Sequence, residues 1–372
     1  MPLRLAVVGA GPAGLAAAHA LRDADAAVTV FEKSRGVSGR AATRWRDAPG
    51  PDGADVRWRY DHGAQYLSLE PDSRAGRLVR DTLGGVVDVP GAVWPFDDDG
   101  TLRPDRAKAE PGPRWTWPEG TADLGRRLRD ATPGLGSGSG PGPALHLRTR
   151  VTALDRDGAG WTVETDDGDR HPGFDAVLLT PPAPQTADLL RASRLGGADG
   201  DALAAALDAA DYRSQFTVVW AFGERLDRPG AFYALVNADA HGGRGGGHDV
   251  AWLAFESDKP NRAPDGAEIV LAQMSDAWTQ AHYDDPKEDV VAAATTAVAD
   301  LLGPLPEPAW TDTQRWRYSL PNGAADADAL EAAAAHGLFF AGDWTAGKGR
   351  VHLALEEGLA AADRVRAWAA GR

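Results

Sequence analysis

The chain contains no cysteine among its 372 residues. No disulfide, thiolate metal ligand, redox-active dithiol or cysteinyl link to a cofactor can therefore form. Lysine is scarce, limited to Lys33, Lys108, Lys259, Lys287 and Lys348, and Asp plus Glu outnumber Lys plus Arg by 54 to 39. The net charge of -15 argues against nucleic acid and anionic membrane surfaces as partners. No apolar run reaches the roughly 18 residues of a membrane span, so a cytoplasmic protein with no membrane partner is expected. Hydrophobic residues make up 43% of the chain, an ordinary globular share, and the length suffices for two domains with their own cores.

The first forty-odd residues carry the strongest signal. Residues 3–9 (LRLAVVG) read as a short strand, and Gly9, Gly11 and Gly14 follow in GxGxxG spacing. Pro12 and Ala13 start an Ala- and Leu-rich helix, and residues 27–31 (AVTVF) read as a second strand ending at Glu32. This is the βαβ dinucleotide-binding fingerprint in its full setting. Gly9 permits the tight turn, Gly11 lets backbone approach a pyrophosphate, and Gly14 allows close helix–strand packing. The helix N-terminus offers free N–H groups and a positive dipole end to phosphates. Glu32 is placed to accept hydrogen bonds from an adenosine ribose, and its charge disfavours a 2′-phosphate. The glycines also interrupt the apolar stretch from Met1 to Leu21, which argues against a signal peptide.

The fingerprint alone does not choose between NAD and FAD. The next segment, residues 33–44 (KSRGVSGRAATR), is a basic loop of Lys33, Ser34, Arg35, Gly39, Arg40 and Arg44. It either turns arginines toward the pyrophosphate or is simply solvated. In FEKSRGVSGRAATR (31–44) the chain resembles the flavoprotein oxidoreductases related to renalase and, more distantly, to monoamine oxidase. Ser38 stands where that family usually has glycine, and Ala41 where methionine is common. The resemblance continues in DHGAQY (61–66), AWLAFESDKPNR (251–262), QRWRYSLP (314–321) and Gly342-Asp343, and so covers most of the chain.

The resemblance implies non-covalent FAD and an α/β fold. An FAD-binding Rossmann-like domain of the glutathione-reductase/hydroxylase type would carry a second, mixed and largely antiparallel sheet as substrate domain. The FAD domain would be discontinuous, from residues 1–85, 144–190 and 335–372, with 86–143 and 191–334 forming the substrate domain. The resemblance places His62, Gly63, Ala64, Gln65 and Tyr66 beside the flavin ring. On spacing alone the run is also a tight turn capped by Asp61, with His62 a structural histidine. Val151 would meet the adenine through its backbone, and Thr180 would lie near the adenosine. Asp343, after Gly342, would bind a ribityl hydroxyl. The helix from Val351, preceded by Arg350, would point its N-terminus at the flavin N1/O2 side. His352-Leu353 replace the family's frequent Glu-Gly, so His352 sits either near the flavin or on the surface.

Alternation at 212–222, 231–237, 250–257, 268–274 and 309–320 predicts the antiparallel strands, and residues 287–302 a helix. Residues 71–85 read as one helix capped by Ser73, 145–154 with 161–167 as a meander, and 174–185 as a buried strand with a Pro-rich turn. The Gly-rich runs 133–143 and 241–247 lack the strand that a second GxGxxG site needs, which weakens a two-site NAD(P)H reductase. Trp94, Trp115 and Trp117 line a pocket or fill a core, with packing favoured.

By resemblance, the activity is an oxidase acting on 2- or 6-dihydro isomers of NAD(P)H. Hydride would pass to flavin N5, and dioxygen would reoxidise the flavin to give hydrogen peroxide. Such a donor needs alignment rather than a base, and no base or nucleophile triad is recognisable. Trp316 and Tyr318 are the candidates for positioning the substrate ring, and Arg213, Arg262, Arg315 or Arg317 for its phosphates. A flavin amine oxidase or desaturase is the same-fold alternative. In amine oxidases of this kind a lysine holds a water near N5, and Lys259 is the strand-adjacent candidate. A non-catalytic flavin-binding or redox-sensing protein is the alternative from another class. No metal site is expected.

Overall fold

A computed structural model describes residues 2–110, 112–135, 144–158, 160–196, 199–238 and 247–372. Most of the two Gly-rich runs, at 136–143 and 239–246, lies outside these residues. Strands and α-helices are numbered along the chain. The first layer is a parallel sheet of order β18-β12-β1-β2-β8. Its strands are β1 (Leu3–Val8), β2 (Ala26–Glu32), β8 (Ala144–Leu147), β12 (Ala176–Leu179) and β18 (Leu338–Phe340). AVLL in β12 and LFF in β18 are continuous apolar runs because both faces of this sheet are covered. Leu5 and Val7 point into one core, with α1 (Pro12–Ala20), α3 (Asp123–Asp130) and α9 (Val351–Ala370). Ala6 and Val8 point into another, with α4 (Ala183–Arg191), α5 (Gly200–Asp208) and α8 (Ala327–Ala332). That side also carries a small antiparallel sheet of β9 (Val151–Asp157), β10 (Gly160–Thr165) and β11 (Arg170–Phe174).

The second large sheet has the order β17-β13-β16-β15-β14-β6. It comprises β6 (Ala92–Phe96), β13 (Asp211–Phe222), β14 (Phe232–Asn237), β15 (Val250–Phe255), β16 (Glu268–Met274) and β17 (Trp310–Asn322). All its pairs are antiparallel except β14–β6. The period-two pattern again divides its faces. Val218, Trp220 and Phe222 pack toward α7 (Lys287–Leu302) and Trp278 of α6 (Asp276–Ala281). Val219 and Ala221 pack with Trp58, Tyr60 and Trp310, where the hairpin of β3 (Thr43–Pro49) and β4 (Asp55–Asp61) covers the sheet. A short pair, β5 (Val87–Asp88) with β7 (Trp115–Thr116), completes the strands.

Two readings change locally, and the expected packing of the tryptophans holds. The segment 145–154 is two strands in two sheets, β8 paired with β2 and β9 with β10, parted at Arg148, which takes φ +56. The helix at 71–85 is α2 (Arg74–Arg77) continued by a π-helical turn over Leu78–Leu83. Ser73 caps it, its Oγ accepting from the Gly76 N–H at 2.9 Å. Trp115 and Trp117 are buried, and Trp94 packs on Phe232 with ring centroids 5.1 Å apart. All three fill core.

Candidate active site

A large cleft of about 2180 Å³ opens beyond the C-terminal ends of β1, β2 and β12 and runs to β13, β15, β16 and β17. Ligands of open α/β sheets bind outside such strand ends. The three fingerprint glycines divide their work there. Gly9 has φ +102, and a Cβ on Gly14 would lie 2.1 Å from the Gly9 carbonyl oxygen. These two serve the close contact of α1 with β1, and Gly14 does not line the cleft. Gly11 is different: it is the N-cap of α1, lines the cleft, and has no atom within 4 Å of its Cβ position. Pro12 and Ala13 line the wall beside it.

Glu32 ends β2 at the same place. Its Oε2 accepts from the Ala10 N–H at 2.8 Å and its Oε1 from the Ser34 N–H at 2.7 Å. The carboxylate is thus fixed while each oxygen retains a free lone pair. Lys33, Ser34, Val151 and Thr180 line this end too. The Thr180 hydroxyl donates to the Val8 carbonyl at 2.8 Å. Of the loop arginines, Arg40 alone reaches the cleft wall. Arg35 is exposed away from it. Arg44 is drawn off by Asp312 at 2.5 Å and Gln314 at 2.6 Å.

The middle of the cleft is tied together by Arg40. It donates to Asp343 Oδ1 at 2.7 Å and to the Ser319 carbonyl at 2.8 Å. Burial holds the Asp343 carboxyl above its ordinary range, and Arg40 offsets this only in part. Gly39, with φ +54, sits against Gly11, and Gly63 abuts Arg40, where a Cβ would lie 2.0 Å from its carbonyl oxygen. Ser38, standing where glycine is usual in the resembling family, has φ +88, a conformation that favours glycine. Gly342, Asp343, Arg350, Val351 and His352 bring the start of α9 to the wall. Gly358 makes this possible, since a Cβ there would lie 2.2 Å from the Ala13 carbonyl oxygen. Bare backbone lets α9 cross α1 closely, so both N-termini open on one cleft. Burial, then Arg350, lowers the His352 pKa and favours a neutral imidazole.

The inner wall is made by Gly63, Ala64, Gln65, Tyr66, Trp316 and Tyr318. His62 does not line it. Its ring is stacked on Trp316, centroids 5.3 Å apart, behind the wall. Its carbonyl accepts from Trp316 Nε1 at 2.8 Å and Thr217 Oγ1 at 2.9 Å. Burial, reinforced by Arg44, lowers the His62 pKa to about 4, so the ring is neutral at ordinary pH. Gln273 Nε2 donates to the Gly63 carbonyl at 2.7 Å. Gln273 had no motif to mark it, and it joins Trp252 on the wall. The four phosphate-candidate arginines separate: Arg213 and Arg317 line the cleft, Arg315 lies over Tyr283, and Arg262 is buried elsewhere.

Behind Gln65 lies a cluster of four charges with fully buried side chains: Asp61, Glu256, Lys259 and Arg262. Lys259 Nζ donates to Glu256 Oε2 at 2.8 Å and Asp61 Oδ2 at 3.1 Å, and contacts Gln65 Oε1 at 3.4 Å. Arg262 donates to Asp61 Oδ2 at 2.8 Å and Glu256 Oε1 at 3.0 Å. Burial opposes ionisation of Asp61, but Arg262 and Lys259 outweigh it and hold that carboxyl well below its ordinary range. Burial dominates at Glu256 and moves its carboxyl upward. Lys259 does not line the cleft.

This wall suits a flavin cofactor. Two helix N-termini, an open N-cap glycine and a fixed carboxylate occur along one cleft. Among the described residues, moreover, no protein acceptor takes the backbone N–H of Gln65 or Tyr66. Such donors match the carbonyl-bearing edge of a flavin ring. No helix among the described residues is long and apolar enough to cross a membrane.

Comparisons with known proteins agree with this architecture. The cyclohexylamine oxidase of Brevibacterium oxydans IH-35A superposes with a TM-score of 0.70 at 14% identity, covering 100% of both chains. Putrescine oxidase bound to putrescine gives 0.67 at 16%, covering 99% of each. Reduced UDP-galactopyranose mutase gives 0.72 at 13%, covering 99% of this chain and 94% of that one. At such identities the likeness concerns the fold, an α/β Rossmann-like layer with a mixed sheet. A profile of NAD(P)-binding Rossmann-like domains matches residues 7–82. The profile of flavin-containing amine oxidoreductases matches residues 100–366, and the chain belongs to that family of oxidoreductase enzymes.

Proposed function

We propose that this enzyme is an FAD-dependent oxidase of dihydronicotinamide dinucleotides, of the renalase-like kind it resembles, with dioxygen as acceptor. The observation that carries the reading is the placement of Lys259. It is neutralised by two carboxylates, buried, and off the cleft wall. An amine donor must shed a proton, for which a lysine-held water would serve. An isomeric dihydronicotinamide is already electron-rich and needs only alignment. The donor, dioxygen and a proton yield NAD(P)+ and hydrogen peroxide.

In this reading Gly11, Ala13 and Glu32 hold the dinucleotide end of FAD, and Asp343, held by Arg40, meets its ribityl chain. Gln65, Tyr66 and the start of α9 border its ring. Attachment is non-covalent, and the FAD-binding unit is built on residues 1–85, 144–190 and 335–372, with α3, α5 and α8 of the intervening segments packed on its sheet. Flavin supplies a two-electron acceptor for hydride and returns the electrons to dioxygen. Trp316 and Tyr318 provide flat surfaces against which a nicotinamide can lie. Arg213 and Arg317, on the neighbouring strands β13 and β17, line the cleft where the donor's phosphates would lie.

Amine oxidation is the second reading, and the family profile favours it. Anaerobic stopped-flow reduction separates the two. Bleaching by 2- and 6-dihydro NAD(P)H but not by amines, followed by peroxide on admitting air, supports the proposal. Bleaching by an amine alone overturns it.

A further inference from the structure

The buried charge cluster lies outside every role assigned above. Taking four ions out of water is costly, and an apolar core would fill the same space. The cluster touches the cleft through one side chain, Gln65. The Gln65 carboxamide is held at both ends. Its Oε1 faces Lys259 Nζ at 3.4 Å, while its Nε2 donates to the Asp61 carbonyl and, at 3.2 Å, to the Gly63 carbonyl. The orientation is set from both ends: flipping the carboxamide would place Oε1 against two carbonyl oxygens and Nε2 against the ammonium. The same cluster grips the strand that precedes Gln65, with the Asp61 N–H donating to Glu256 Oε1 at 3.0 Å. On the other side Gln273 and Thr217 hold the Gly63 and His62 carbonyls. The backbone of 62–66 is therefore clamped from behind and from the side, while no acceptor among the described residues takes the Gln65 or Tyr66 N–H.

We propose that Lys259 is a positioning residue: its ammonium, balanced by Asp61 and Glu256, orients the Gln65 carboxamide and thereby fixes the 63–66 wall against the flavin. Lys259 touches neither cofactor nor substrate. The inference rests on the reading that the cleft holds flavin.

The test uses variants of the full chain, freed of flavin and titrated with FAD. Lys259→Met alone strands a negative charge in the core, so the main variant is charge-balanced: Lys259→Met with Glu256→Gln, which keeps the Asp61–Arg262 pair. Its thermal melt reports folding without cofactor. The expected result is a folded protein that binds FAD about tenfold more weakly, the loss of one hydrogen bond to a charged group. The bound flavin's visible bands shift, and Gln65→Leu gives the same shift. Adding Gln65→Leu to the charge-balanced pair produces no further loss, because one linkage is being broken twice. Wild-type affinity and spectrum in the charge-balanced variant would overturn the proposal. Additive losses would too, as would an unchanged affinity with loss of reduction by an amine donor alone. If the charge-balanced protein does not fold, Gln65→Leu, which leaves all four charges paired, decides: unchanged FAD affinity there refutes the role. A wild-type protein that takes up no FAD refutes the flavin reading itself, and this proposal with it.

Discussion

Replacing Gly11 and Gly14 separately by alanine should split stability from cofactor binding. The Gly14 Cβ would stand 2.1 Å from the Gly9 carbonyl oxygen and 3.1 Å from Thr180 Oγ1. Neither neighbour yields easily: the carbonyl is backbone at the end of β1, and the hydroxyl is held by the Val8 carbonyl at 2.8 Å. Alanine would otherwise add up to about 1 kcal/mol of helix propensity in α1. Overpacking of this kind costs about 1–3 kcal/mol, and contact at such a distance belongs at the upper end. The net loss is roughly 1–2 kcal/mol, or about 1–3 °C in the melting temperature of the cofactor-free protein of this length. Gly11 has φ -78 and ψ -178, which alanine adopts freely, and open space at its Cβ position. Gly11→Ala should therefore melt within about 1 °C of wild type. Its methyl group, however, enters the space assigned to the pyrophosphate, and FAD affinity should fall at least about tenfold. Differential scanning calorimetry of the flavin-free proteins and FAD titration measure the two quantities. Wild-type FAD binding by Gly11→Ala would refute the placement of phosphate at the α1 N-terminus. Wild-type stability of Gly14→Ala would refute the packing argument.

Other perturbations have definite outcomes. Asp61→Asn leaves two buried cations facing one carboxylate and should cost about 3–5 kcal/mol in urea unfolding. Glu256→Gln should cost less, because burial already moves that carboxyl toward its neutral form. The His62 pKa is lowered from 6.5 to about 4, so the unfolded chain binds the proton more readily. Its contribution is complete above pH 6.5 and disappears as pH falls toward 4, about 3 kcal/mol in all. His62→Phe, which keeps the stack on Trp316, should flatten that part of the acid-unfolding curve. Glu32→Ala and Asp343→Ala should each weaken FAD retention, read by ultrafiltration, and unchanged retention in both would refute their roles. Arg213→Ala with Arg317→Ala should raise KM for a dinucleotide donor and leave that for an amine unchanged, and equal effects on both would remove the phosphate role.

Local signals in the sequence were easy to follow where one element explains itself. The glycine spacing, the acid ending β2 and the Gly-Asp pair before α9 each sit within one turn or strand end, and the structure brings them to one cleft. The antiparallel strands of the second sheet were equally plain, because one register alternates between two covered faces. What stayed hidden depends on distant partners. Nothing near Lys259 in the sequence announces its ion pair with Asp61, nearly two hundred residues earlier. Arg262 read as a phosphate ligand for the same reason. Arg148 gives no sequence cue to its positive φ, which parts β8 from β9. Gly358 lies inside a helix, where glycine alone says nothing, and its use appears only when α9 meets the Ala13 carbonyl. His62 belongs to a motif that borders the wall, yet its ring turns behind it onto Trp316, a pairing fixed by β17.

The most direct test is acid precipitation of the purified protein, with the supernatant analysed for flavin and the pellet for residual absorbance. One equivalent of free FAD in the supernatant and a colourless pellet are predicted from the two helix N-termini, the Glu32 site and a chain without cysteine. FMN in place of FAD, flavin left in the pellet, or no flavin recovered even after incubation with excess FAD would contradict it.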